Sequence, residues 1–159
     1  MIRKAQMQDL SRIAEIIVFG KRVAYRSIFQ DDNGSFNELQ VLKLADTYRS
    51  NQTLLADMLV YDDGIVKGVL NRKVLRKDVE ICELYVEPFF KGMGIGSKLF
   101  EYAINEAKDV GKKKLFLWVI EENLSARKFY EAHGFRAIGE TCVIEGTDKL
   151  DMRYELVLN

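Results

Sequence analysis

Glu83-Leu84-Tyr85-Val86-Glu87-Pro88-Phe89-Phe90-Lys91-Gly92-Met93-Gly94-Ile95-Gly96-Ser97-Lys98-Leu99 is the stretch on which the reading of this chain turns. The extended run from Val79 closes at Pro88, the only proline, which has no amide hydrogen to give a strand ladder. Three alternating glycines follow and lead straight into a helical stripe of Ile95, Leu99, Ala103, Ile104 and Ala107, stopped by Gly111. A strand that passes through glycines into a helix turns unpaired backbone N–H groups outward at the positive end of the helix dipole, which is how proteins cradle phosphate. Spacing excludes two other cradles. A dinucleotide fingerprint needs a third glycine where Ser97 stands, and a P-loop needs Gly-Lys-Ser or Gly-Lys-Thr where Gly96-Ser97-Lys98 stands. Taken alone, the three glycines are equally compatible with a softened helix start that binds nothing.

Upstream, residues 2 to 5 read as a strand, and Leu10, Ile13, Ala14, Ile17 and Val18 form an amphipathic helical stripe that weakens between Gly20 and Gly34. Asp31-Asp32-Asn33-Gly34 reads as a turn. Ser35 with Glu38 reads as a capping box opening a second helix to Ser50, with Leu39, Leu42 and Leu44 on its buried face. Two strands then join at Asp62-Asp63-Gly64. Downstream, Lys114 to Ile120 is a strand apolar enough for the sheet centre, Asn123 to His133 a short helix ended by Gly134, and Phe135–Glu145 and Leu150–Leu158 two final strands. The order β, α, α, β, β, β, α, β, α, β, β predicts an α/β (α+β) fold: a mixed, mostly antiparallel sheet of about seven strands with about four helices, in one domain over residues 1–159.

A second stretch, Asn123-Leu124-Ser125-Ala126-Arg127-Lys128-Phe129-Tyr130, puts an amide, a small side chain and a phenol on one helix face through Asn123, Ala126 and Tyr130. Such a phenol can donate a proton. The alternative is an Asn123 N-cap with Phe129 and Tyr130 as ordinary packed aromatics.

Together the two stretches resemble the GCN5-related N-acetyltransferases, which move an acetyl group from acetyl-coenzyme A to an amine. Lys91, Gly94 and Gly96 stand where that family's pyrophosphate loop has Gln or Arg, Gly, and Gly or Ala; Lys91 keeps the charge of Arg and loses its planar fork. Leu84, Val86 and Pro88, and Asn123, Ala126, Phe129, Tyr130, Gly134 and Phe135, fit the family pattern as well. The specific motifs lie between residues 80 and 136.

The resemblance implies that acetyl-coenzyme A is held by Lys91, Gly92, Met93, Gly94, Ile95, Gly96 and Ser97. The strand Leu84, Tyr85 and Val86 would pair with the pantetheine arm and polarise the thioester, as a preorganised donor does. Asn123 and Ala126 would line the arm, and Tyr130 would protonate the departing thiolate. An amine near pKa 10 must lose a proton before attack, which a carboxylate can accept. Glu80 and Glu83 are the candidates. Alternation along the strand puts them on opposite faces, and Glu80 matches the position of the base in histone-type members. The family's acceptor wall maps near Tyr25, Phe29, Asp31, Asp32, Tyr48 and residues 140–148, and polyamine, antibiotic, amino acid and protein N-terminus all stay open. The rival reading is a catalytically silent acyl-coenzyme A binding regulatory module of the same fold.

Composition agrees. With 24 basic and 24 acidic residues the formal charge is zero, which speaks against nucleic acid or an anionic membrane as a partner held by charge alone. No apolar run approaches the roughly 18 residues needed to cross a bilayer. A charged, polar N-terminus and two cysteines, Cys82 and Cys142, predict a reducing cytoplasm with both thiols buried. A single histidine, His133, leaves no multi-histidine metal site, so no metal is expected. Family members often pair, which leaves a homodimer open.

Overall fold

The computed structural model describes all residues, 1–159. Its strands are β1 (Ile2–Lys4), β2 (Leu59–Asp62), β3 (Val66–Val74), β4 (Asp78–Val86), β5 (Lys114–Ile120), β6 (Arg136–Val143) and β7 (Leu150–Val157). Its helices are α1 (Leu10–Phe29), α2 (Val41–Ser50), α3 (Ile95–Asp109) and α4 (Leu124–Ala132). The strands form one mixed sheet in the order β1-β2-β3-β4-β5-β7-β6. β1 with β2, β2 with β3, β5 with β7 and β6 with β7 are antiparallel, while β4 runs parallel to β5, pairing Asp78–Ile81 with Lys114–Leu117. Two compact units share the chain: residues 1–72 with 83–102, and residues 73–82 with 103–159.

The first unit is built on the α1 stripe. Leu10, Ile13, Ile16 and Ile17 pack with Tyr48 of α2, Leu55, Met58, Val60, Val66 and Val69, and Tyr85 of β4 lies against this core. Its N-terminal corner is tied by charge. Arg3 donates to both oxygens of buried Asp9 at 2.7 and 2.9 Å and to Asp62 at 2.7 Å. Arg3 holds the Asp9 carboxyl below the ordinary carboxylate range, against the opposing effect of its burial.

In the second unit, β7 carries the core tyrosine, Tyr154, whose hydroxyl donates to Glu131 at 2.8 Å and accepts from Arg127 at 3.1 Å, fixing α4 to the sheet. On the neighbouring β7 positions, Arg153 stacks on Phe116 at 4.2 Å and pairs with Glu155.

Three expectations are corrected. First, α1 does not fade at Gly20; it continues to Phe29 and stops at Gln30, a left-handed residue (φ 52°) whose N–H donates to the Arg26 carbonyl. Second, Ser35 and Glu38 do not cap a helix. Gly34–Glu38 is a π-helical turn, Glu38 accepts from Asn33, and α2 begins at Val41 after an extended Gln40. The later start rotates the buried stripe to Ala45 and Tyr48 and leaves Leu42 70% exposed. Third, both thiols are exposed: Cys82 alternates with buried Val79 and Ile81 along β4, and Cys142 lies on β6, every residue of which is exposed.

Candidate active site

In the first unit, β4 ends as expected, with Pro88 opening a single 3-10 turn, Pro88–Phe90. Lys91 then extends into the glycine run, where Gly92 (φ 80°) and Gly94 (φ 73°) both take the left-handed conformation, and nothing lies within 4 Å of where a Cβ would sit on either. Glycine is required here by backbone geometry and not by crowding. The Gly94 carbonyl accepts from the Lys98 N–H at 3.0 Å, which opens α3. The N–H groups of Ile95, Gly96 and Ser97 therefore lie in the first turn, where no helical carbonyl stands four residues back. Lys91, Gly92, Met93 and Gly94 are exposed, while Ile95, Leu99 and Phe100 are buried and anchor the helix start.

Gly68 of β3 explains how the helix comes so close to the sheet. A Cβ there would meet Ile95 Cγ2 at 2.8 Å and Leu99 Cδ1 at 3.0 Å. A fixed helix start preceded by an open glycine turn is an arrangement that can present backbone N–H groups to an anion, and the exposed Lys91 precedes that turn in the chain.

Earlier on β4, Glu83 and Tyr85 meet α1. Glu83 pairs with Lys21 at 2.8 Å through one oxygen and accepts from Asn71 Nδ2 at 3.3 Å through the other. Tyr85 donates to the Tyr25 hydroxyl at 3.0 Å, and its ring fills the space opposite Gly20, where a Cβ would lie 2.5 Å from Tyr85 Cδ1. Tyr48 is buried nearby; that burial, and secondarily the charge of Glu83, push its phenol above the ordinary range. Leu84 and Val86 alternate with these residues on β4, so they fall on its other face.

Two carboxylates expected beside an acceptor are engaged locally. Asp31 accepts from the Gly34 N–H at 3.0 Å, and Asp32 pairs with Arg26 at 2.7 Å on the surface. Tyr25 and Phe29 stack edge to face at 6.0 Å.

In the second unit, Glu80 is half-buried on β4, in register with Phe116 of β5. Asn123 caps α4, its Oδ1 accepting from the Ala126 N–H at 3.3 Å. Asn123, Ala126 and Tyr130 are all half-buried along that helix, matching their shared spacing. Tyr130 contacts Phe129 at 5.6 Å and Phe135 at 6.4 Å, and its carbonyl accepts from the Phe135 N–H. His133 ends α4, its Nδ1 2.8 Å from the Phe129 carbonyl oxygen.

Lys21, Asn71, Gly20 and Gly68 escape a reading of the sequence. For Lys21 a signal existed, since it lies one helical turn before Tyr25 and so shares its face. The other three show their use only in three dimensions.

Residues 22–135 match the profile of the Acetyltransferase (GNAT) family. An uncharacterized N-acetyltransferase of Lactobacillus delbrueckii subsp. lactis is 32% identical over 95 residues, 55% of either chain. The first curated relatives are matched over 26%, 55% and 42% of their own length. Among solved structures, the PaiA N-acetyltransferase of Thermoplasma acidophilum in complex with coenzyme A superposes with a TM-score of 0.76 at 24% identity, over 99% of this chain and 98% of that one. YncA of Salmonella typhimurium, with acetyl-CoA, gives 0.71 at 24% identity over 100% and 94%. No helix is long and apolar enough to cross a membrane.

Proposed function

The chain belongs to the acetyltransferase (GNAT) family, and from that premise we propose that it is an N-acetyltransferase. It moves an acetyl group from acetyl-coenzyme A to a primary amine of a small molecule or peptide by direct attack in a ternary complex. The observation that carries the reading is the exposed Gly92–Gly94 turn, left-handed at both glycines and set on the start of α3, which buried Ile95 anchors. A Cβ at either glycine would strain a loop whose use is to let backbone N–H groups reach an anion. The donor set fits a pyrophosphate: the N–H groups of Ile95, Gly96 and Ser97 with the Lys91 ammonium.

Acetyl-coenzyme A supplies an acyl carbon activated as a thioester. The chain's own residues do the rest. Backbone groups of Leu84, Tyr85 and Val86 hold the pantetheine arm, and Met93 belongs to the loop that takes the pyrophosphate. Asn123 commits its oxygen to the Ala126 N–H, so it offers its Nδ2 donors to that arm. Glu80 or Glu83 takes the proton from the attacking amine; Glu80 has the position the resemblance favours, and Glu83 is a carboxylate held by Lys21 at one oxygen and by Asn71 at the other. Tyr130 gives a proton to the departing sulfur.

The test is thiol release from acetyl-coenzyme A across a panel of amines, with Tyr130→Phe beside the unmodified chain. Loss of the phenol should lower turnover about 100-fold, the low end of general acid catalysis, with acetyl-coenzyme A affinity little changed. Equal turnover would remove Tyr130 from the mechanism. Cofactor binding with no release by any amine would replace the enzyme with a binding module.

A further inference from the structure

Lys21 and Tyr25 lie one turn apart on α1, about 6 Å along its axis, and Glu83 and Tyr85 lie two residues apart on β4, about 6.8 Å along the strand. The near match of those rises lets helix and strand meet in two successive side-chain pairs, ammonium to carboxylate at 2.8 Å and phenol to phenol at 3.0 Å. Asn71 of β3 donates to the second oxygen of Glu83 at 3.3 Å. The Lys21 and Glu83 side chains are 32% and 18% exposed, so the pair is partly shielded and still within reach of a small molecule.

Such a pair discriminates among acceptors. A lone ammonium that takes Glu83 leaves Lys21 uncompensated in a partly desolvated site, and a polycation adds repulsion from it. An acceptor carrying both charges exchanges partners without loss: its ammonium takes Glu83 and its carboxylate takes Lys21. Tyr25 strengthens the second contact. Its hydroxyl lies 3.0 Å from that of Tyr85, and with Tyr85 as donor the Tyr25 O–H is free to donate to a further acceptor, on the same helix face as Lys21. Asp31 and Asp32, the other carboxylates expected near an amine, are engaged with Gly34 and Arg26.

We infer that the acceptor is a small zwitterion of the amino-acid type, its amine held by Glu83 and its carboxylate by Lys21 with the Tyr25 hydroxyl. This rests on the acetyltransferase reading above.

The experiment compares the twenty L-amino acids with their amides and decarboxylated amines, and with spermidine. Two readouts are taken: calorimetric binding to protein saturated with coenzyme A, and thiol release with acetyl-coenzyme A. At least one acid should exceed its amide by about tenfold or more in affinity and in kcat/KM, the scale of one charge-assisted hydrogen bond. Lys21→Met should collapse that acid-to-amide ratio, and Lys21→Arg should retain most of it. Amides, simple amines or spermidine serving as well as the acids would overturn the inference, as would a Lys21→Met loss equal for acid and amide. Carboxylate-dependent binding without transfer would uphold the zwitterion site and defeat the acetyltransferase reading. Transfer without carboxylate dependence would do the reverse, and neither binding nor transfer would defeat both.

Discussion

Two glycine-bearing regions of the first unit obey opposite rules. At the 92–94 turn there is open space around both glycines, and the residue is demanded by a positive φ. At Gly20 and Gly68 the backbone is ordinary and the residue is demanded by space, with Tyr85, Ile95 and Leu99 pressed to within 2.5–3.0 Å of a hypothetical Cβ. The first arrangement leaves room for a ligand against bare backbone. The second removes room so that α1 and α3 can approach the sheet, and so holds in place the side chains beside the turn. A binding loop thus needs a tight scaffold behind it, and the two needs select glycine for different reasons.

Substitutions should separate the two. The largest effect is expected from Gly94→Glu, which strains the turn and places a carboxylate where phosphate would lie; acetyl-coenzyme A binding by calorimetry should disappear while stability falls by only about 1–2 kcal/mol, the cost of the left-handed backbone. Gly20→Val should do the opposite, costing about 1–3 kcal/mol by overpacking against the Tyr85 ring, measured by urea denaturation, with any loss of cofactor affinity following from the loosened scaffold. Asp9→Asn extends the contrast to pH. Arg3 depresses the Asp9 value in the folded protein, so this contribution is present above the unfolded value near 3.8 and is lost as pH falls through the folded value. The variant should lose about 2 kcal/mol at pH 7 and show a flatter stability curve below pH 4 than the parent. The loop 91–97 contains no acidic residue and contributes nothing to that curve. Gly92→Ala should be mildest, about 1 kcal/mol from the left-handed backbone alone, with modest weakening of cofactor binding.

The same contrast explains what could be read in the sequence. The turn was legible because its signals are local: Pro88 ends a strand, alternating glycines free the backbone, and a 3.6-residue stripe starts at Ile95. The α4 face was legible for the same reason, through Asn123, Ala126 and Tyr130. The scaffold was not. Nothing near Gly20 announces that Tyr85 fills the space beside it, and Gly20 itself reads as a helix breaker until that contact is known. Ser35 and Glu38 satisfy the capping rule, yet Arg22 donates to the Ser35 and Leu39 carbonyls and Asn33 binds Glu38, which fits the π-helical turn observed there. Lys21 shows why the acceptor side was the least readable part, because its partner Glu83 is distant in sequence and only the packing of α1 on β4 joins them.

The central claim is that the Gly92–Gly94 turn and the first turn of α3 form a coenzyme A cradle. Isothermal titration of the unmodified protein with acetyl-coenzyme A tests it most directly. The account predicts saturable binding at one site per chain, competed by coenzyme A and abolished in Gly94→Glu; absence of binding in a folded preparation, or full binding by Gly94→Glu, would contradict it.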